Sequence, residues 1–392
     1  MLNLKIAVLA NLILVLSFGC TKPKSELDKG DQSMDEIVLY VGTYTEKEAH
    51  VDGKADGIYV YKFNSNTGKL TYKSTSAYII NPSYFVVHPS KKFLYAVNET
   101  GGVEADTSGA VSAFKIDSET AALTLINQVS STGDWPCHIS IDNSGKFALV
   151  ANYGGSVALL PLHEDGSIAN ASMTIEHQGS GPTSRQTGPH AHMIITGSDN
   201  KLAYAIDLGA DKIFAYELDT DGESLLPTQI DTELAPGSGP RHLAFHPNLS
   251  TAYVVNELGG SIDCFNIDES GRLDRFQTKS TLAAGSNAEA ACADIQIHPS
   301  GKYLYASNRG DINSIAIFEI SSTDGTLRLL GHQATYGKGP RSFVIDPNGE
   351  FLLVANQDTD NVFTFKIDKS TGLLFDKPIE TKIPTPVCLK FL

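Results

Sequence analysis

The chain repeats one strand pattern about every fifty residues. Each copy is a short alternating hydrophobic segment that ends in Asn or Asp, as in FLYAVNE, FALVANY and FLLVANQ. The markers that end the copies are Asn98, Asn152, Asp207, Asn256, Asn308 and Asn356, and IVLYVGT at 37–43 is a seventh copy. A period of this length, with an alternating strand in every copy, is typical of blades in a propeller-type repeat fold.

Other strands accompany each marker strand at fixed places. A segment that usually begins with Pro comes before it, such as PSYFVVHPS, and two further strands with a Gly-containing turn follow it. The N-terminal copy lacks the Pro-led strand, whereas PTPVCLKFL at the C-terminus is a Pro-led strand with nothing after it. The sequence therefore predicts an all-β, seven-bladed β-propeller with four antiparallel strands per blade, closed by the C-terminal strand joining the N-terminal blade.

The N-terminal segment differs from the repeats and predicts export. Residues 1–20 carry one early charge, Lys5, and an apolar run that is too short to span a bilayer, which is typical of a signal peptide. The run ends in LSFGC, which resembles a bacterial lipobox with Cys20 as the lipid-bearing residue. Residues 21–36 are polar and predict a flexible tether, and residues 37–392 form the propeller. We therefore expect a protein anchored by lipid to a bacterial membrane, on its periplasmic or outer surface.

The charge and the cysteines exclude several kinds of function. A formal net charge of -15 argues against nucleic-acid binding, which needs a basic face, so an anionic ligand requires a local cationic pocket. Four cysteines follow Cys20, and their spacing suggests neither a disulfide framework nor a zinc site. We expect them to be small buried thiols, and we expect no metal and no cofactor.

The starts of the Pro-led strands are the candidate functional positions. In a propeller these strands line the axis, so their first residues meet at one mouth, and here they differ from blade to blade. The marker strands end at the same mouth if they turn there, which brings Asp207, Glu257 and Arg309 to it. Cationic groups there can hold a carboxylate or phosphate, and a carboxylate or imidazole can transfer a proton. The predicted catalytic residues are His190, His192, Arg241, Glu257 and Arg309, and the predicted substrate-binding residues are His138, Arg185, His242 and Arg341. By contrast, His88, His246 and His298 precede Pro in turns where sister blades have Asp, which predicts a structural role.

Several motifs carry a resemblance to a known family. They include YVGTYT at 40–45, RQTGPHAH at 185–192, GSGPRHLAFHP at 237–247, NELGGS at 256–261 and GPRSFVIDPNGEFLLVANQ at 339–357. Over residues 38–391 the chain resembles the bacterial 6-phosphogluconolactonase family of seven-bladed propellers, which also contains the fungal enzyme that cyclises 3-carboxy-cis,cis-muconate. The resemblance implies a catalytic set of one His, two Arg and one Glu, which falls on His190 or His192, Arg241, Glu257 and Arg309. Asp294 departs from the Glu that the family often has there.

These observations lead to a functional hypothesis with two alternatives. The chain is expected to hydrolyse an anionic sugar-acid lactone, with Arg side chains holding the anionic group or the developing oxyanion, and with Glu257 or a histidine of PHAH activating water. Export separates it from the cytosolic phosphogluconolactone, so another sugar lactone is expected. The alternatives are a cycloisomerase or lyase acting on a carboxylated acid, and a non-catalytic ligand-binding propeller. The sequence leaves the oligomeric state open.

Overall fold

The computed structural model describes residues 36–48, 50–102 and 109–392. The expected signal peptide, Cys20 and all of the expected tether except Glu36 lie outside the described residues. Glu36 begins the first strand, one residue before the expected start of the propeller. Within the described residues, no helix has the length and apolar character needed to cross a membrane.

The first three blades are formed by strands from the N-terminal part of the described chain. Blade 1 contains β1 Glu36–Thr43, β4 Ile58–Asn64 and β5 Leu70–Ala77, with the small hairpin of β2 Lys47–Glu48 and β3 Val51–Asp52 inserted between β1 and β4. Blade 2 contains β6 Phe85–Val87, β7 Phe93–Asn98, β8 Ala110–Ile116 and β9 Leu123–Ser130. Blade 3 contains β10 Pro136–Ile141, β11 Phe147–Asn152, β12 Ser156–Pro161 and β13 Met173–Glu176.

The remaining four blades follow in chain order. Blade 4 contains β14 Ala191–Thr196, β15 Leu202–Asp207, β16 Lys212–Asp219, β17 Ser224–Pro227 and the short β18 Thr232–Glu233. Blade 5 contains β19 Pro240–Phe245, β20 Thr251–Asn256, β21 Ser261–Ile267 and β22 Leu273–Ser280. Blade 6 contains β23 Cys292–Ile297, β24 Tyr303–Asn308, β25 Ser314–Ile320 and β26 Leu327–Ala334. Blade 7 contains β27 Pro340–Ile345, β28 Phe351–Asn356, the 3-10 helix Gln357–Thr359, β29 Asn361–Lys366 and β30 Ile379–Lys382, and the last strand is β31 Pro386–Phe391.

The prediction of a seven-bladed propeller with four antiparallel strands per blade is confirmed. In blades 2 to 7 the second strand ends at the expected Asn or Asp marker. The side chain of the marker often fixes the loop that enters its blade: the amide of Asn152 donates to the carbonyl of Ser131 at 3.1 Å, and that of Asn356 donates to the carbonyl of Thr335 at 3.2 Å. The Asn marker therefore recurs in the sequence because its side chain forms a hydrogen bond that the blade needs.

The C-terminal strand closes the ring, as the two incomplete ends of the sequence predicted. Strand β31 pairs antiparallel with β1 and completes the sheet β31-β1-β4-β5, with Val41 opposite Leu389. Each of the seven innermost strands contacts the next one around the ring, including β27 with β31 and β31 with β6. The innermost strands are therefore the Pro-led strands, and their starts lie at the same end of the ring.

The core lies between the blades. The described residues form seven buried hydrophobic clusters, and each cluster joins side chains from two neighbouring blades. Blades 7 and 1 share a cluster that includes Phe351 and Leu39, so the closing contact is as apolar as the others. Burial of apolar surface between all neighbouring blades therefore stabilises the closed ring.

The three turn histidines also join neighbouring blades. The Nε2 atoms of His88, His246 and His298 lie 2.9 to 3.0 Å from the carbonyl oxygens of Gly145, Gly301 and Gly349 in the next blade. Each of these glycines has a φ between 65° and 75°, and a Cβ added to it would come within 3.0 Å of the imidazole. The histidines thus have the structural role that their place in the turns predicts.

The four cysteines of the propeller are free and buried, as expected. They are Cys137, Cys264, Cys292 and Cys388. Burial raises the pKa of the Cys292 thiol to about 11 and that of Cys137 further still. Because the thiolate is the reactive form, these side chains are unreactive packing groups at neutral pH.

Candidate active site

A β-bulge at the start of several inner strands shapes the candidate site. In blades 3, 4, 5 and 7 the pairing with the second strand skips one residue just after the strand begins. The skipped residues are Cys137, His192, Arg241 and Arg341. All four line one cavity of about 720 Å³. Because a bulge turns a side chain away from its place in the regular pleat, it brings these four residues to a common space.

The cavity also receives the residues that follow the second strands. Glu99, Tyr153, Glu257, Arg309 and Gln357 each come directly after a marker and line the cavity. The other lining residues are Glu48, His50, Gly101, Trp135, Gly154, Arg185 and His190. Four arginines and three glutamates thus meet in one cavity of a strongly acidic chain, which fulfils the requirement for a local cationic pocket.

Glu257 is the centre of the charged cluster. Its Oε2 atom lies 2.9 Å from Nε of Arg241 and 2.9 Å from a terminal nitrogen of Arg309. Its Oε1 atom lies 3.3 Å from a terminal nitrogen of Arg185. The Glu257 side chain is only 6% exposed, so three cations compensate one buried carboxylate. Sequence analysis had proposed these four residues, and the structure brings them into direct contact.

The electrostatics of the cluster make Glu257 a poor proton acceptor. Burial alone would raise its pKa, but the surrounding guanidinium groups, that of Arg309 first, hold the pKa of Glu257 at about 2. Burial and the charge of Arg309 lower the pKa of Arg241 to about 10, which leaves it protonated at neutral pH. Glu257 therefore orients the guanidinium groups, because a carboxylate with so low a pKa accepts a proton weakly.

The three arginines differ in how much of each is free to meet a ligand. Arg241 is almost fully buried and also donates to the carbonyl of Ala293 at 2.7 Å. Arg309 donates to two backbone carbonyls of the neighbouring loop and is 19% exposed, whereas Arg185 is 54% exposed. Arg185 and Arg309 are therefore the accessible donors, and Arg241 is the buried support.

Arg341 lies in a second ion pair in the same cavity. A terminal nitrogen of Arg341 is 3.8 Å from Oε1 of Glu99, and its guanidinium lies over the ring of Tyr44 at 5.4 Å from the centroid. Ser83 donates a short hydrogen bond to the other oxygen of Glu99. These contacts raise the pKa of Arg341 in spite of its burial, so it stays cationic.

Of the two histidines in PHAH, His190 has a side chain that is oriented by a hydrogen bond and by ring stacking. Its Nδ1 atom lies 2.8 Å from the carbonyl oxygen of Tyr153, and its ring stacks on the Tyr153 ring at 4.4 Å and 10°. Because a carbonyl only accepts, Nδ1 carries the proton and the neutral ring has its lone pair on Nε2. The backbone N–H of His190 donates to Oδ1 of Asp207 at 2.8 Å, which holds the backbone of His190 in place.

His192 has a different environment. It is 4% exposed, and its buried Nδ1 atom has no hydrogen-bond partner among the described residues. Burial, and then the charge of Arg241, lowers the pKa of His192 well below its ordinary value. His192 is therefore neutral at physiological pH, and it forms part of the cavity wall.

Two predicted binding residues lie one layer deeper. His138 and His242 follow the bulge residues, are buried, and do not line the cavity. They belong to a deep polar cluster that consists of Tyr84, His138, His242, Asp294 and Lys390. His138 and His242 thus lie behind the residues of the cavity wall, because each bulge turns only the first of the two residues toward the cavity.

The deep polar cluster supports Arg241 from below. His242 lies with Nε2 3.3 Å from a terminal nitrogen of Arg241 and with Nδ1 3.3 Å from Oδ1 of Asp294. Because a guanidinium only donates, Nε2 accepts and Nδ1–H donates to Asp294. Burial and the Arg241 charge lower the pKa of His242 to about 4, so this neutral form persists at pH 7. Asp294 thus reaches His242 despite being shorter than the Glu of the related family.

Part of the cavity wall could not be predicted from the sequence. Glu48 and His50 come from the β2–β3 hairpin, for which the repeat gives no signal. Trp135 stands directly before the Pro that begins β10, where other blades have small residues. Asp207, which was expected at the mouth with Glu257, is buried. Its Oδ2 atom lies 2.7 Å from Nδ1 of His177, and its Oδ1 atom accepts a hydrogen bond from the backbone N–H of His190.

The described residues also bear on metal binding and on other cavities. They contain no group of three or more His, Cys, Asp or Glu side chains placed to hold a metal ion. A second cavity, of about 850 Å³, lies between blades 4 and 5 at the opposite ends of the strands, and its wall includes Asp199, Glu217, Asp268 and Glu269 but no arginine. The charged cluster around Glu257 is therefore the stronger candidate for chemistry on an anion.

The chain is similar to a protein family and to several known proteins over most of its length. A family model for the seven-bladed β-propeller lactonases matches residues 38–391. The 6-phosphogluconolactonase of Bacillus subtilis is 34% identical over 361 residues, which cover 92% of this chain and 99% of the relative. A solved Bacteroides fragilis structure, described as a candidate 6-phosphogluconolactonase, has 39% identity and a TM-score of 0.84, over 92% of this chain and 99% of its own. The periplasmic gluconolactonase of Pseudomonas aeruginosa has 34% identity and a TM-score of 0.85, over 91% and 99%.

Proposed function

The chain belongs to the lactonase family of seven-bladed β-propellers, as the sequence motifs had indicated, and on this premise we propose that it hydrolyses the lactone of a sugar acid. The observation that carries the proposal is the cluster of Glu257 with Arg185, Arg241 and Arg309 in the same cavity as His190. A lactone is a cyclic ester, so its hydrolysis needs an activated water and a stabilised oxyanion.

Arg185 and Arg309 fit the second of these needs. Attack of water turns the planar carbonyl carbon tetrahedral and puts negative charge on its oxygen. Guanidinium donors that are already held in place by Glu257 can receive this charge without first reorganising. Arg241, supported by His242, keeps Glu257 in place, and Arg341 supplies a further cationic donor for an oxygen atom of the substrate.

His190 fits the role of proton carrier. Its Nε2 lone pair can take a proton from water while the water oxygen bonds to the carbonyl carbon. The ring C–O bond then breaks, and the imidazolium returns the proton to the departing ring oxygen, which becomes the hydroxyl of the open-chain acid. The hydrogen bond from Nδ1 to the Tyr153 carbonyl keeps the imidazole in the right tautomer throughout.

We also propose that the protein is exported and anchored by lipid on Cys20. This proposal rests on the apolar run and the LSFGC motif at the N-terminus. An exported enzyme meets unphosphorylated sugar lactones rather than the phosphorylated ones of the cytosol. The preferred substrate is therefore an unphosphorylated aldonolactone.

A lactone panel tests the proposed activity. Purified residues 21–392 are assayed by pH-stat with phosphorylated and unphosphorylated sugar lactones, with spontaneous opening subtracted. Turnover above the spontaneous rate that falls to that rate in Arg241→Ala supports the proposal and identifies the substrate class. Absence of turnover on every lactone would contradict it and would favour a ligand-binding role for the cavity.

A further inference from the structure

Trp135 has a backbone conformation that tryptophan rarely adopts. Its φ is 52°, in the left-handed region where a large side chain crowds the backbone. In four other blades the residue directly before the Pro of the innermost strand also has a positive φ. These residues are Asn81, Gly239, Gly339 and Thr385. Five of the seven blades therefore have a left-handed residue at this place, which Gly provides without strain, whereas blade 3 carries the largest side chain there.

The indole is held in place from behind. A Cβ added to Gly101 would come within 2.9 Å of Cδ2 and Cε2 of Trp135, the two atoms at the ring fusion, so the face of the indole lies against the backbone of Gly101. The backbone N–H of Trp135 donates to the carbonyl of Thr100 at 2.8 Å, and the backbone carbonyl of Trp135 accepts from the backbone N–H of Tyr153 at 2.8 Å. The indole is therefore a fixed part of the cavity wall, and it remains partly exposed.

Strained backbone conformations cluster at functional sites. Gly at the same place in blades 5 and 7 shows that the fold does not require an aromatic residue there. The rest of the cavity wall is rich in charge, whereas a sugar ring presents hydroxyl groups at its edge and carbon–hydrogen bonds on its faces. A fixed aromatic surface beside polar groups is the arrangement that such a ring fits.

We propose that Trp135 stacks on the carbon–hydrogen face of the substrate ring and selects cyclic sugar lactones over acyclic acids. This inference rests on the proposed lactone hydrolysis for its choice of ligand, and it adds a specificity residue to the groups that act on the ester. Trp135 takes no part in proton transfer, so its contribution is to binding and orientation.

The chain has a single tryptophan, so its fluorescence reports on this one position. Residues 21–392 are titrated with D-glucono-1,5-lactam, the hydrolysis-resistant amide analogue of the lactone, while the tryptophan emission is recorded. A saturable change in the emission is expected, with no change for free N-acetyltryptophanamide under the same additions. An unchanged emission up to millimolar lactam would overturn the proposal.

Three variants separate stacking from backbone strain. Trp135→Gly is expected to weaken lactam binding, measured by calorimetry, by roughly tenfold, and to leave Tm equal or higher because the strain is removed. Trp135→Phe keeps an aromatic face and is expected to stay within about threefold of the wild type. Thr385→Gly makes the matching change at a place that does not line the cavity, and its binding is expected to be unchanged.

The outcomes also separate this inference from the proposed function. Binding by Trp135→Gly that is as tight as that of the wild type overturns the role of Trp135, even if lactones are hydrolysed. Lactam binding that depends on Trp135 in a protein without lactone turnover supports the role of Trp135 and contradicts the proposed hydrolysis.

Discussion

At the scale of single residues, Glu257 shows how one carboxylate organises the cavity. Its two oxygens contact three guanidinium groups, and all three belong to residues that line the same cavity. Without the carboxylate, the cations of Arg241 and Arg309 would repel each other in a buried site. In the proposed reaction, Glu257 thus holds positive charge together where a substrate oxygen becomes negative.

Replacement of Glu257 by Gln tests this role. The amide removes the compensating charge while keeping the size, so the guanidinium groups should separate, and kcat/KM for lactone hydrolysis should fall by about 10² to 10³. Steady-state kinetics on the best lactone of the panel provides the measurement. Glu319→Gln, at the surface ion pair with Arg328, is the control and should keep the wild-type rate. A Glu257→Gln variant with unchanged kcat/KM would refute the electrostatic role.

Residue placement was the part that sequence reasoning predicted least well. Alternation along a strand assigns neighbouring residues to opposite faces, so Arg241 and His242 could not be sorted between the cavity and the layer below it. Which of the two residues lines the cavity depends on a bulge at the start of the strand, and the sequence gives no sign of that bulge. The inserted β2–β3 hairpin, which brings Glu48 and His50, lies outside the repeat and was equally hidden.

At the scale of elements, the strands were predictable because their pattern follows from contacts between blades. Tyr253 and Tyr305, on the second strands of blades 5 and 6, each donate to a turn carbonyl in the next blade. The acceptors are Gly325 and Gly372, at 2.7 and 2.8 Å. The tyrosine that recurs in the marker strands is therefore a link between sheets, which is why it recurs with the period of the blade.

These tyrosine links should contribute to stability and leave catalysis unchanged. Tyr253→Phe keeps the buried ring but leaves the Gly325 carbonyl without its donor, so it should lower the free energy of unfolding by about 1 kcal/mol. Urea denaturation at pH 7 gives the measurement, with Tyr72→Phe as a control at an exposed ring. Equal stability of the two variants would show that the inter-blade hydrogen bond contributes nothing.

At the scale of the whole molecule, three buried histidines near the axis make the propeller sensitive to acid. Burial lowers the pKa values of His138, His192 and His242, the last to about 4. As the pH falls below about 6.5, these histidines become protonated in the unfolded chain but stay neutral in the folded chain. The free energy of unfolding therefore falls as the pH drops from 6.5 toward 4. Above about pH 6.5 this contribution to stability is fully present.

Removing one of these histidines should reduce the sensitivity to acid. His138→Gln should lower the slope of unfolding free energy against pH, between pH 6 and 4.5, by up to about 1.4 kcal/mol per pH unit. Urea denaturation across that range measures the slope. His163→Gln, at an exposed histidine, should leave it unchanged. A slope in His138→Gln equal to that of the wild type would contradict the account of buried neutral histidines.

The proposed anchor is tested on the full chain in cells. Cys20→Ser should move the protein from the membrane fraction to the soluble fraction and abolish incorporation of labelled palmitate. The same change in solubility without any labelling of the wild type would show that Cys20 carries no lipid.

The central claim is hydrolysis of a lactone by the cavity around Glu257 and His190, and the most direct measurement follows oxygen from water. The reaction is run in H₂¹⁸O with the wild type and with His190→Gln, and ¹⁸O in the product carboxylate is measured against time, with spontaneous opening subtracted. The account predicts that the wild type incorporates one ¹⁸O per product far faster than the background, and that His190→Gln falls close to the background. Product without ¹⁸O, or the same rate in His190→Gln, would contradict it.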